Sequence, residues 1–293
     1  MKRIEYTVPS KHDGNMIKNI LRRELGISAA VLTELKKHPD GIVLNGENVY
    51  ATHKVHDGDI ITLTLHDKPS QNIEPAPISL DIIYEDEDIL AVNKPRSMPT
   101  HPSQNHHCDT LANGVMYYFR NTEFTFRVIT RLDKDTSGVV IIAKNKISAA
   151  KLTEQMTKGE IHKEYEAICH GSPVDNSGTI NAPIARKEGS AITREVNPGG
   201  KTAVTEYEVI ARSDSLCHIR LRPITGRTHQ IRVHLAHIGT PIYGDDLYGS
   251  WAQDEKCRLH CRKVTLAQPL TGKTISLEAP APGDMDLISI FDT

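Results

Sequence analysis

Residues 131–135 place Arg131, Asp133, Lys134 and Asp135 in one short run. A carboxylate crowded by cations stays ionised. Set at the edge of a rigid element, it is a candidate nucleophile or general base. Thr136, Ser137 and Gly138 follow, then Val139, Val140, Ile141 and Ile142. Four β-branched residues opened by glycine predict a buried strand rather than a helix. The sequence thus sets a charged turn on the end of a strand. An isolated Asp-Lys-Asp is more often a solvated turn, so Asp133 needs partners from elsewhere in the chain.

The string TGRTHQIRVHL at residues 225–235 supplies candidates. Gly226 can start a turn, and a helix is expected over residues 227–238. At 100° per residue Ile231, Leu235 and Ile238 share a face. Arg227 then lies at the edge of that face and Arg232 points away. An arginine beside a core-facing stripe is costly unless a carboxylate meets it, and Asp133 is the partner expected for Arg227. A strand is expected over residues 161–171, carrying Tyr165. Two His/Cys groups, His106-His107-Cys108 and Cys257/His260/Cys261, lack the paired spacing of a structural zinc site, and no metal is expected at either.

The elements that must position these groups fall into two parts. A chain of 293 residues can bury a sizeable core in one or two domains. Hydrophobic residues at 38% and charged residues at 25% describe a globular protein. No apolar run is long enough to span a bilayer and no signal peptide is read, so no membrane partner is expected. Five scattered cysteines fit a reducing cytoplasm. The net charge of −2 does not announce a nucleic-acid binder, but Arg212, Arg220, Arg222, Arg227 and Arg232 cluster, and Arg258, Arg262 and Lys263 follow.

Residues 1–66 read as a small domain: a strand over residues 1–8, helices over 14–25 and 28–37 with Ser28 as cap, an Asn45-Gly46 hairpin turn, and a strand over 60–65. Residues 67–77 are polar and proline-rich and read as a linker. Residues 78–293 form the second domain. It opens with strands at residues 82–84 and 89–92, has a helix over 147–156, and closes with strands over 203–210 and 274–278. Residues 172–203 are rich in glycine and proline and read as loops.

The string RLDKDTSG resembles the signature of the RluA-type pseudouridine synthases, in which the first Asp, Asp133 here, is catalytic. That signature commonly opens with His, where this chain has Thr130. Asn93-Lys94-Pro95 with His101-Pro102 resembles the family's first motif, with Arg96-Ser97 where a glycine is usual. Lys163, Tyr165, Ala167 and Gly171 match a strand whose Tyr packs against the target base. GRTHQIR resembles the segment supplying an Arg that pairs with the catalytic Asp, a role carried to Arg227. The likeness runs from Ile78 to Pro282. Within residues 1–66, two short helices followed by IVLNG and HDGDIITL look like an S4 RNA-binding domain, though Ala29 stands where that family carries Arg and nine Lys or Arg face eight Asp or Glu.

The resemblance implies an α+β fold with a mixed, largely antiparallel sheet and flanking helices. It implies isomerisation of uridine to pseudouridine in RNA, with no cofactor or metal. Asp133 would attack the ribose or take the C2′ proton, Arg227 would hold it, and Tyr165 would stack on uracil. Arg131 and His229 are expected RNA contacts. Lys94 is expected to meet a phosphate or hold the site together, and Arg232 to meet a phosphate or serve structure. The expected partner is ribosomal RNA of the large subunit, with transfer RNA as the alternative, met by a monomer in the cytoplasm. Two rivals are a non-catalytic RNA-binding protein and a metal-dependent nuclease built on Asp-Lys-Asp.

Overall fold

The computed structural model describes residues 2–66, 70, 72–249 and 256–285. Met1, four positions of the expected linker (67–69 and 71) and residues 250–255 and 286–293 of the expected second domain lie outside the described residues.

The first part holds β1 (Lys2–Thr7), α1 (Ile17–Arg23), α2 (Ala29–Leu35), β2 (Ile42–Leu44), β3 (Glu47–Asn48) and β4 (Ile60–Leu65). Its strands pair in the order β1-β4-β2-β3. Both helices are a turn or so shorter than expected. Ser28 caps α2 by accepting a hydrogen bond from the Val31 amide, and Asn45 and Gly46 take the positive φ values of a tight hairpin turn. Ile17, Ile20 and Leu21, at helical spacing, are buried against Leu63 and Ile61.

The second part begins with β5 (Ile82–Glu85), β6 (Ile89–Lys94), α3 (Leu111–Tyr118), β7 (Ser137–Ala143), α4 (Lys146–Lys158) and β8 (His162–His170). It continues with β9 (Ser177–Asn181), β10 (Ile184–Arg186), β11 (Arg194–Val196), β12 (Val204–Arg212), β13 (Leu216–Pro223), α5 (Gln230–His237), β14 (Leu259–Ala267) and β15 (Thr274–Glu278). The residues expected as loops at 172–203 include three of these strands, β9, β10 and β11. The main sheet runs β5-β6-β7-β14-β8-β13-β12-β9, with β15 beside β14. Among the described residues only the β7–β14 pair is parallel. The α+β, largely antiparallel expectation therefore holds.

Strand β7 is the axis of the core. All seven of its residues are buried, and Val139, Val140, Ile141 and Ile142 have no exposed surface. Each such side chain contributes about 1.5–3 kcal/mol by leaving water. On one side β7 pairs with β6 in register from Lys94↔Gly138 to Ile89↔Ala143. On the other it meets β14 at His260↔Ser137 and Cys261↔Gly138. There the backbones approach so closely that a Cβ on Gly138 would stand 2.2 Å from the Cys261 carbonyl oxygen, and φ is +114°. Helix α4 follows β7 directly. Asn145 caps it through the Ser148 amide and Gly159 ends it in the left-handed conformation.

Candidate active site

The loop between Thr130 and Ser137 feeds β7, so Asp133 is held on a strand that is buried along its whole length. Thr130 is buried, and its hydroxyl accepts the Ile141 amide at 2.9 Å. The Thr100 hydroxyl donates to the Leu132 carbonyl at 2.8 Å. The Thr136 amide donates to the Asp133 carbonyl at 3.2 Å. Beneath the loop, Lys94 is fully buried and its ammonium donates to the carbonyls of Lys134 (3.0 Å), Pro95 (2.9 Å) and Met98 (2.7 Å). Burial pulls the Lys94 pKa down to about 7, against the upward pull of Asp135 and Asp133. Of the two roles expected for Lys94, the structure gives it that of a pin; with no exposed surface it is not available to a phosphate. Ser97 takes φ +61°, the left-handed turn that a glycine at this point would adopt freely.

Asp133 opens into a cavity of about 690 Å³ shared with Arg131, Tyr165, Lys163, Arg227 and His229. Tyr165 is buried, in register with Leu221 on β13 and Cys261 on β14. Burial holds its pKa well above the ordinary value, with the neighbouring Cys261 acting in the same direction. Lys163 also faces the cavity; burial lowers its pKa, and it has no ion pair among the described residues. Arg131 and Lys134 are exposed on the rim.

The second motif folds differently from its expectation. Helix α5 begins at Gln230, three residues later than expected, with His229 at its start in the left-handed region (φ +57°). Gln230 is buried and clamps the preceding turn: its carbonyl oxygen accepts from the Thr225 hydroxyl (2.7 Å) and the Arg227 amide (3.0 Å). His234 is buried too, bonded to Thr205 Oγ1 and the Ala182 carbonyl at 2.9 Å each. Neither arginine makes an ion pair with Asp133, and Arg232 takes the structural one of the two roles expected for it. Arg227 is exposed and its Nε donates to the Thr202 carbonyl at 2.9 Å; it makes no ion pair with Asp133. Arg232 is only 2% exposed and forms a fork onto Asp245 at 2.7 and 2.6 Å. So buried, it has no route to an RNA phosphate. The helical-wheel argument failed because α5 is covered on both sides: Gln230 through Leu235 are all buried. Arg232 lines the same cavity as Asp133, with its guanidinium held by Asp245 and lying over the Tyr248 ring.

Among the described residues, the basic group within 4.0 Å of the Asp133 carboxylate is His229, through Nε2 to Oδ2. Tyr248, which sequence reasoning passed over, bonds to His229 Nδ1 at 2.8 Å and lies under the Arg232 guanidinium at 5.2 Å. Asp245 and Tyr248 lie within the stretch to Pro282 over which the likeness runs, but no signal singles them out, because they hold other side chains.

In the second His/Cys group weighed for metal, His260 is buried between Ser137 Oγ (2.9 Å) and the Ala279 carbonyl (3.1 Å). Burial pushes the Cys257 and Cys261 thiols up to about 12. Ring and carboxylate atoms of His38, Asp40 and His66 do converge within 4.8 Å, a grouping the sequence hid by separating its members. There His66 Nε2 already bonds both Asp40 oxygens, at 2.9 and 3.0 Å, and its ring stacks on His38.

Residues 88–237, a span containing both motifs, match the family described as RNA pseudouridylate synthase. The chain belongs to that family. It is 36% identical over 266 residues to YjbO of Bacillus subtilis, described as an uncharacterized RNA pseudouridine synthase, covering 89% of this chain and 94% of that protein. It is 35% identical over 272 residues to the ribosomal large subunit pseudouridine synthase D of Haemophilus ducreyi, covering 87% of this chain and 82% of that one. Among solved structures it resembles human RNA pseudouridylate synthase domain containing 1, with a TM-score of 0.60 at 27% identity over 70% of this chain and 84% of the other. The enzyme is thus an RNA pseudouridine synthase, an isomerase that detaches uracil at N1 and rejoins it at C5. The two rival readings, a non-catalytic binder and a metal-dependent nuclease, give way.

Proposed function

We propose that this pseudouridine synthase acts on uridines in structured large-subunit ribosomal RNA, with Asp133 as the reacting carboxylate. The observation that carries the site is the placement of Asp133: pinned by its loop, one third exposed, and open to a cavity of about 690 Å³ lined by Tyr165. A base in a duplex cannot reach such a carboxylate, so the target uridine leaves its stack. The Tyr165 ring is placed to stack on it, an interaction of about 1–3 kcal/mol per base. Arg131, Lys134 and Arg227 are exposed at the rim without ion pairs among the described residues, which suits them to phosphates. Arg227 is therefore read as an RNA contact rather than as the cation of Asp133.

Ribosomal RNA is favoured by the relatives named for the large subunit, 35% identical over most of this chain. Residues 1–66, with two short helices on a four-stranded sheet, are read as an S4-like RNA-binding module, joined by a linker over 67–77 to a catalytic domain over 78–293. All five cysteines are free, as suits a reducing cytoplasm. The enzyme is read as a monomer there.

The test is to map pseudouridines in total RNA from a strain lacking the enzyme and to restore them with purified protein. Loss of sites from large-subunit ribosomal RNA is expected; loss confined to transfer RNA would refute the target. Asp133→Asn should bind RNA and form no pseudouridine, because an amide neither attacks carbon nor accepts the proton. Turnover by pure Asp133→Asn would refute the site.

A further inference from the structure

His229 carries two features that the reading so far leaves unexplained. A non-glycine residue at φ +57° is strained, and such strain persists where the surroundings over-determine it, often at functional sites. Its ring is also held at Nδ1 by Tyr248 at 2.8 Å, while Nε2 faces Asp133 Oδ2 at 4.0 Å.

The proton positions follow from the donors. The Arg194 backbone amide points at the Tyr248 oxygen at 2.9 Å, and an amide can only donate, so that oxygen accepts. The hydroxyl hydrogen of Tyr248 is then free for His229 Nδ1, 2.8 Å away. Burial raises the Tyr248 pKa, so the phenol keeps its proton. A lone pair at Nδ1 of a neutral imidazole places the hydrogen on Nε2. That nitrogen faces Asp133 Oδ2 at 4.0 Å. The opposite tautomer would turn a lone pair toward the carboxylate.

The ring is faced by charged groups from four elements: Asp133 of the loop, Arg232 of α5, Arg194 of β11, and Asp245 of the segment after α5. Burial lowers its pKa, with Arg232 and Arg194 acting in the same direction against Asp133 and Asp245. The ring is neutral at pH 7.

We propose that His229 is a positioning residue for Asp133, locked by Tyr248 as the tautomer whose Nε2–H addresses the carboxylate. The inference rests on Asp133 being the reacting group. A neutral N–H holds one carboxylate oxygen in place without protonating it, and leaves the other free to meet the ribose. The 4.0 Å separation is longer than a hydrogen bond; contacts of this kind tighten in substrate complexes. The sequence from Asp245 to Tyr248 then supports the site twice, through Arg232 and through His229.

The decisive variant is His229→Gly, because glycine adopts positive φ without strain and removes only the side chain. The saturated single-turnover rate on a verified RNA should fall about a hundredfold, the scale for loss of one preorganised donor, with KM little changed. Added imidazole should restore rate, since the cavity is open to solvent, whereas 1-methylimidazole, which has no N–H, should not. In the full-length wild type with nitrogen-labelled histidine, the signal absent from His229→Gly should show a proton on Nε2 and a hydrogen-bonded lone pair on Nδ1; Tyr248→Phe should shift that Nδ1 signal. A proton on Nδ1, equal rescue by both imidazoles, or a wild-type rate in His229→Gly would each overturn the proposal. If Asp133→Asn were active, the site reading would fall instead, and the tautomer measurement would still stand on its own.

Discussion

Arg232→Met separates the structural arginine from the exposed one. In the folded protein the Arg232 and Asp245 side chains are 3% and 0% exposed, and the guanidinium makes two bonds of 2.7 and 2.6 Å to the carboxylate. Burial works against this cation, but the bond and charge of Asp245 outweigh it and raise its pKa. Methionine fills much of the space while removing the charge, so Asp245 is left as a buried anion. Breaking such a pair from one side costs about 3–5 kcal/mol. The Leu247 and Tyr248 amides still donate to Asp245 Oδ1, at 3.0 and 3.1 Å, which favours the lower end. We therefore expect about 3 kcal/mol of destabilisation, or a fall in Tm of roughly 6–12 °C. Arg232→Met/Asp245→Asn removes both charges and should recover most of the loss. Arg227→Ala, at an exposed site, should stay within about 0.5 kcal/mol of wild type. Calorimetry and urea midpoints on the four proteins measure this cycle. If Arg232→Met cost no more than Arg227→Ala, the assignment of the buried pair would be refuted.

Arg227→Ala should instead weaken RNA binding and lower the salt slope by about one, as loss of one phosphate contact does; an unchanged slope would remove Arg227 from the RNA surface. Lys94 has a folded pKa of about 7 against 10.5 for an ordinary lysine. Between those values the unfolded chain binds the proton that the folded chain has released, so the Lys94 contribution to stability rises with pH. The unfolding free energy of wild type relative to Lys94→Met should accordingly grow from about pH 7 to about pH 10, and a flat difference would contradict the buried, depressed lysine. Removal of residues 1–66 should raise KM for RNA and leave the saturated single-turnover rate intact; collapse of that rate in a folded truncation would mean that the module helps to build the site.

The elements were legible where local rules decide. Ser28 as a cap, Asn45-Gly46 as a turn and the β-branched run of β7 depend on neighbours in sequence, and each is found as expected. The strands inside residues 172–203 were hidden because glycine and proline dominate that composition, while the pairing that makes β9 a strand comes from β12. Helix α3 was missed for a related reason. Its cap is Thr110 with Asn113, which bond reciprocally, but Asn-Gly within the helix reads as a turn.

The site was legible as residues and not as geometry. Both motifs were visible, yet the phase of Arg227 and Arg232 depends on where α5 starts, and Gln230 decides that by tying itself to Thr225 and to the Arg227 amide. No periodicity contains this, since a side chain clamping its own upstream turn leaves no repeat. The wheel also assumed one buried face, whereas residues 230–235 are enclosed by the sheet on one side and by Asp245 and Tyr248 on the other. A charged residue in such a helix is placed by its partner, not by its angle. Asp133 lies 112 positions from Asp245 along the chain, and His229 links the two segments, facing Asp133 at 4.0 Å and bonding Tyr248 at 2.8 Å. The polar chain Asp133–His229–Tyr248 thus ties the placement of the Asp133 carboxylate to the packing of the segment from Asp245 to Tyr248.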